Sequence, residues 1–169
     1  MSTMVRDAGF TADRAWAAGV RRWVGSVVQT DNDGATAILR ITLGAVMFPH
    51  AAQKVFGWFG GYGFDGTMGM LTGVVGLPWL IGLLVIVFEM AGSIALLTGT
   101  LGRLGAAAIA TVMVGAVATS HHQFFMNWAG TQAGEGFEYH LLALAMSAAI
   151  IAKGSGALSL DRLLARRSA

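Results

Sequence analysis

Cysteine is missing altogether from this 169-residue chain. Its absence excludes structural disulfides, thiolate metal ligands, cysteine-ligated iron–sulfur clusters and any thiol relay of the CxxC kind. Charge is scarce: Asp, Glu, Lys and Arg make up 12% of the residues, about half the share of a typical soluble domain. No HExxH, ExxH or CxxCH signature occurs, so no zinc-protease motif, di-iron motif or covalent haem attachment is written into the chain. A cleavable leader is excluded as well, because Arg6, Asp7, Asp13, Arg14, Arg21 and Arg22 leave the first 34 residues without an apolar core. What remains is 55% hydrophobic, with a mean hydropathy of +0.64 and apolar residues gathered in long blocks. Such a chain is an integral membrane protein, all-α, with one domain at this length. The formal net charge of +2 gives no reason to invoke nucleic acid.

Residues 1–34 read as a cytoplasmic, interfacial segment. Trp16, Val20, Trp23 and Val27 recur at helical spacing opposite Arg14, Arg21 and Arg22, a pattern that suits an amphipathic helix lying on an anionic leaflet. Residues 35–169 then form the membrane domain, a four-helix bundle with spans at about 36–55, 77–99, 104–120 and 137–152. Asp31, Asn32 and Asp33 supply N-cap candidates for the first span, and Pro49 inside it predicts a kink beside His50. The glycine- and aromatic-rich stretch 56–76 reads as a turn followed by a short amphipathic or re-entrant helix near Thr67 to Val75. Pro78 suits the first turn of span two, and the Ala- and Gly-rich span three favours close helix contact. After span four the chain reads as a short polar exit with a basic end.

Orientation follows from basic residues. Of the eleven Lys and Arg, only Lys54 falls in a loop on the side opposite Arg6, Arg14, Arg21, Arg22, Arg103, Lys153, Arg162, Arg166 and Arg167. Both termini are thus expected in the cytoplasm of a bacterium, with loops 56–76 and 121–137 outside. Those outer loops, with Trp79 at the start of span two, carry Trp58, Phe59, Tyr62, Phe64, Phe124, Phe125 and Trp128, as an aromatic belt requires.

With that topology the four histidines, His50, His121, His122 and His140, gather near the outer surface with Lys54 and Glu138. Ionisable groups at membrane depth are costly and mark function. Lys54 follows His50 at i+4 and Gln53 follows it at i+3, on one face. Residues 138 and 140 diverge around a helix, and the stripe Glu138, Leu141, Leu142, Ala145 is read as inward, which favours Glu138 for the pocket. His122, on the small-residue face with Gly115, Ala118 and Thr119, is favoured over His121.

Glu89 lies about 18 Å from Leu77, and Arg40 about 21 Å inward from Lys54, at 1.5 Å per residue. Two readings stand side by side: a structural ion pair of Arg40 with Glu89, or Glu89 as a proton-accepting or ligand-binding carboxylate. The histidines carry a similar choice. They are interfacial residues bonded to loop carbonyls, or ligands of a metal (His50, His122 and Glu138), or part of a cavity for a quinone-like or phenolic molecule. In the last case His50 and Glu138 would trade protons while Lys54 contacts the ligand oxygen.

The runs RITLGAVMFPHAAQKVFGWFGGYG, VFEMAGSIALLTGTLGR, FFMNWAGTQAGEGFEYHLLALA and GSGALSLDRLL, spanning residues 36 to 164, resemble the DoxX family. The resemblance implies a four-helix bacterial inner-membrane protein. The family takes its name from the membrane part of a thiosulfate–quinone oxidoreductase, and other members are associated with redox enzymes or redox stress. Matching its motifs marks Arg40, His50, Gln53, Lys54, Glu89 and Glu138. One departure is the turn Pro49-His50-Ala51, where the family places a small residue, an apolar residue, His and Gly. The expected function is support of a redox process through an outward-facing His/Glu/Lys pocket for a quinone-like molecule, with no catalytic residue assigned. The competing readings are a non-catalytic anchor recruiting a redox enzyme through basic tails, and a metal site or small transporter. The expected partners are the lipid bilayer and a redox enzyme, with homo-oligomerisation left open.

Overall fold

The computed structural model describes residues 16, 18–19, 25–125, 127 and 136–167. Half of the expected interfacial stripe, Val20 and Trp23, lies outside these residues, as does Trp128. The described chain is helical, and its one β-type contact is an isolated bridge between Gln123 and Gly136.

Helix α1 runs Gly34–Phe56. Asp33 caps it, with its carboxylate accepting from the Ala35 backbone at 3.0 Å and the Thr36 hydroxyl at 2.5 Å, which satisfies donors that an N-terminal turn leaves unpaired. Gly57 ends it in the left-handed region, φ 72°, where a Cβ would be strained. Pro49 sits inside this helix without interrupting it. The chain then makes a short turn at Trp58–Gly60, helix α2 at Gly63–Gly69 and a π-turn at Met70–Val74, so the expected short helix starts earlier than the sequence suggests. Helix α3 covers Trp79–Thr98, with Pro78 as its N-cap instead of inside its first turn. Helix α4 covers Gly102–Thr119, helix α5 Glu138–Lys153 and helix α6 Leu160–Arg167. The polar exit expected after span four thus contains a helix.

Helices α1, α3 and α4 are long and apolar enough to cross a membrane, with mean hydropathies of 1.3, 2.5 and 1.5. The 16 residues of α5 extend about 24 Å, short of a hydrocarbon core of about 30 Å. Packing is cyclic: α1 against α3, α3 against α4, α4 against α5, and α5 back against α1. The core between them holds Leu43, Met47, Leu96, Ile109, Met113 and Ile150. The α3–α4 crossing is close because it is backbone on backbone. A Cβ on Gly105 would stand 2.8 Å from the Ala95 Cβ, and one on Gly92 3.0 Å from the Gly105 carbonyl oxygen.

One end of this ring is closed by charge. The Arg40 guanidinium, fully buried, donates to the carbonyls of Ser155 at 2.7 Å, Leu97 at 3.2 Å and Leu158 at 2.9 Å, and also to that of Leu96. Leu96 and Leu97 lie in the last turn of α3, where unpaired carbonyls and the helix dipole favour a cation. The reverse arrangement meets α4, whose Leu101 and Gly102 amides donate to the buried Asp161 carboxylate at 2.7 and 3.0 Å. Lys153 and Asp33, 3.5 Å apart, bring the end of α5 beside the start of α1.

Candidate functional site

At the opposite end, the last turns of α1, the first half of α3, the end of α4 and the start of α5 enclose a cavity of about 590 Å³. Its wall is mostly apolar, with Met47, Leu71, Val85, Phe88 and Met113 among the lining residues. The ionisable groups that line it are His50, Lys54, Glu89, His121, Tyr139 and His140, with the hydroxyl residues Thr111, Thr119 and Ser120 beside them.

His50 and Lys54 share a face because they are one turn apart on α1, as their spacing predicts. Lys54 makes the central contact: its ammonium lies 2.7 Å from Glu89 Oε2 and donates to Oε1 at 2.9 Å. Glu89 is 1% exposed, so the pair places a carboxylate in the protein interior with its counter-charge supplied from a helix end.

This pairing corrects the expected Arg40–Glu89 ion pair. Glu89 sits about 15 Å along α3 from Trp79, while Arg40 grips Leu96 and Leu97 about 11 Å further along the same helix. The depth arithmetic failed because it placed Leu77 and Lys54 level and treated the side chains as short. The Lys54 side chain reaches inward and meets Glu89, and Arg40 finds carbonyls instead.

Two choices on α5 and at the end of α4 are also corrected. The lining holds His140 and Tyr139, not Glu138. The buried face of α5 is His140, Ala143, Ser147, Ile150, while Leu141 and Leu142 are exposed. In a bilayer the large apolar residues face lipid and the small and polar ones face the neighbouring helices, so the Leu stripe pointed outward. Similarly His121 lines the cavity and His122 does not. Helix α4 ends at Thr119, so the helical periodicity that favoured His122 has already stopped. Gln53 is outside the lining as well, its amide donating to the Phe59 carbonyl at 3.3 Å across the turn after α1. The candidate metal set His50, His122 and Glu138 is therefore not brought together. Among the described residues no three His, Asp or Glu side chains converge on a point where a metal would sit.

The aromatic rings form a continuous series. His50 and Tyr139 are 6.1 Å apart between centroids, Tyr139 and His140 5.7 Å, and His140 and His121 4.4 Å. The Tyr139 hydroxyl points at Met47 Sδ, 3.1 Å away. His140 is 8% exposed, and its Nδ1 has no hydrogen-bond partner among the described residues. A buried imidazole nitrogen without a partner is costly, and this one stands at the wall of a cavity.

The neck below His121 and His122 is fixed by backbone bonds. Phe137 N donates to Gln123 O and Glu138 N to Phe124 O, each at 2.9 Å. Gly136 is required there, since a Cβ would fall 2.0 Å from the Phe125 carbonyl oxygen. These bonds orient the first turn of α5 and with it Tyr139 and His140.

Sequence reasoning missed Tyr139 and misplaced His140. The signal was present in the spacing of His140, Ala143, Ser147 and Ile150, a polar-to-small stripe at helical period. The DoxX family model matches residues 35–122, a little over half of the chain, including His50, Lys54, Glu89 and His121. No curated protein and no solved structure matches.

Proposed function

Because this chain belongs to the DoxX family, we propose that it is a four-span protein of the bacterial cytoplasmic membrane, with both termini in the cytoplasm. Its outward-facing cavity binds a quinone-like molecule in support of a redox process. The observation that carries this reading is the Lys54–Glu89 pair and a His140 Nδ1 without a partner among the described residues, both on the wall of one largely apolar cavity. Small-molecule sites combine an apolar bulk with a few converging polar groups in this way.

The chemistry follows from the residue types. A quinone offers carbonyl oxygens, which accept from the Lys54 ammonium and from His140 when its Nδ1 carries a proton. A hydroquinone offers hydroxyls, which donate to the same nitrogen when it does not. Imidazole serves both forms because each ring nitrogen acts as donor in one tautomer and as acceptor in the other. His121, its ring tilted against that of His140 at 4.4 Å and partly exposed, and His122, exposed beyond it, lead protons to the outer surface. Reduction adds two electrons and two protons, one hydrogen to each carbonyl oxygen. A partner oxidoreductase supplies the electrons.

A decyl-substituted benzoquinone titrated into the purified protein, followed by quenching of tryptophan fluorescence, tests this. His140→Phe and Lys54→Met should each weaken binding by about tenfold or more, the loss expected when a buried polar partner is removed, when measured well below each variant's own melting temperature. Wild-type affinity in the double variant would overturn the proposal.

The anchor reading has an observation of its own. Helix α6 exposes Leu160 and Leu163 beside Arg162 and Arg166, an amphipathic basic surface. It predicts that the cavity variants are silent while changes to these arginines release a partner.

A further inference from the structure

A second apolar depression, about 880 Å³, runs along the lipid-facing side of the α3–α4 crossing from Phe88 to Thr98 on one helix and from Leu101 to Thr111 on the other. It adjoins the cavity, since Phe88 and Thr111 line both. Its shape follows from the close crossing: Gly92 and Gly105 bring the backbones together, and the flanking Ala91, Ala95, Ala107 and Ala108 are too small to fill the space beside them.

The groove asks for nothing polar. The Thr98 hydroxyl donates to the Ile94 carbonyl at 2.9 Å and the Thr111 hydroxyl to the Ala107 carbonyl at 2.9 Å, while the Thr100 hydroxyl lies 3.2 Å from that of Thr98, so each of the three hydroxyls has a partner within the protein. The cavity beside its outer end is different, with a buried His140 nitrogen that lacks a partner among the described residues. One polar demand beside one long apolar trough is the imprint of an amphiphile.

Resting on the reading of the cavity as a ligand site, we propose that the ligand is a long-tailed membrane lipid of the quinone class. Its head lies among His50, Lys54 and His140, and its tail lies in the α3–α4 groove. From Phe88 to Thr98 the trough extends about 15 Å, room for an extended chain. The open flank of the groove means that the molecule enters sideways from the bilayer. Because lipid is as apolar as the groove, the tail gains little from desolvation there. Its contribution comes from packing contacts and from fixing the orientation of the head.

The test uses a benzoquinone with a decyl tail ending in a photoactivatable diazirine, its tail-free counterpart, and the full-length protein in lipid nanodiscs. Illumination should attach the tail to peptides containing Ile94, Leu101 or Leu104. Ala91→Phe and Ala108→Phe, which fill the trough, should weaken the tailed compound by about tenfold and leave the tail-free one unchanged. Attachment to α1, α5 or the 57–76 connection instead would overturn the tail path, as would equal effects of the variants on both compounds. If the tail-free compound binds and the tailed one gains nothing from the groove, the cavity reading survives and this inference falls. If neither binds, both fall. Crosslinking between two copies of the chain through Ala91 and Ala108 would show that the groove is occupied by a helix of a second copy, which also rejects the tail.

Discussion

Residue by residue, the ion pair of Lys54 and Glu89 is the contact whose energetics can be read most directly. Removing one member of a buried pair strands the other charge and typically costs about 3–5 kcal/mol, whereas replacing both by neutral groups costs less. Lys54→Met and Glu89→Gln should therefore each lower the melting temperature in detergent, and the double variant should recover part of the loss. Arg40→Gln combined with Glu89→Gln should instead be additive, because Arg40 is bonded elsewhere and separated groups act independently. Recovery in the Arg40 combination, or additivity in the Lys54 one, would reverse the assignment. His50, Lys54 and Glu89 were legible in the sequence, since each is an ionisable residue inside an apolar block. The partners were not legible, because a lysine side chain changes its effective depth by its own length and a helix wheel cannot express that. His140 was obscured by Leu141 and Leu142, which look like a core stripe only if water is the surrounding solvent.

At the scale of elements, caps decide where helices begin and what pH they tolerate. The Thr36 hydroxyl, the Ala35 amide and the nearby Lys153 ammonium hold the Asp33 carboxylate below its ordinary range. A carboxylate with a depressed folded-state pKa stabilises the fold above its unfolded pKa of about 3.9, and that contribution is lost as pH falls through the folded value. Asp33→Asn keeps a capping side chain but removes the charge. Wild type should melt higher than this variant at pH 6, and the difference should shrink below about pH 4. A gap that persists unchanged at pH 2 would show that the charge is irrelevant. Asp33 was one of three adjacent cap candidates, so the helix start was legible to within a residue or two. Helix α6 was not, because its anchoring residue, Asp161, looks like a surface charge until the amides of Leu101 and Gly102 are placed against it.

For the whole molecule, three apolar spans were legible from hydropathy and the cyclic packing was not, since nothing in a local window says which helix is whose neighbour. The absence of cysteine makes the orientation easy to test, because each introduced thiol is unique. Cysteines at Asp31 and Arg166 should resist an impermeant maleimide in intact cells, and cysteines at the exposed Tyr62 and Phe125 should react. The opposite pattern would invert the proposed topology and turn the cavity toward the cytoplasm. The collar around Arg40 also bears on how such a chain is made. Its carbonyls lie 56 to 118 residues downstream of the guanidinium, so the arginine is synthesised long before any of them. During translation the first helix carries a cation whose collar is filled in two instalments, the carbonyls of Leu96 and Leu97 first and those of Ser155 and Leu158 only later. A nascent protein halted between residues 97 and 155 therefore carries a guanidinium with part of its collar missing, which distinguishes it from one whose synthesis has passed Leu158.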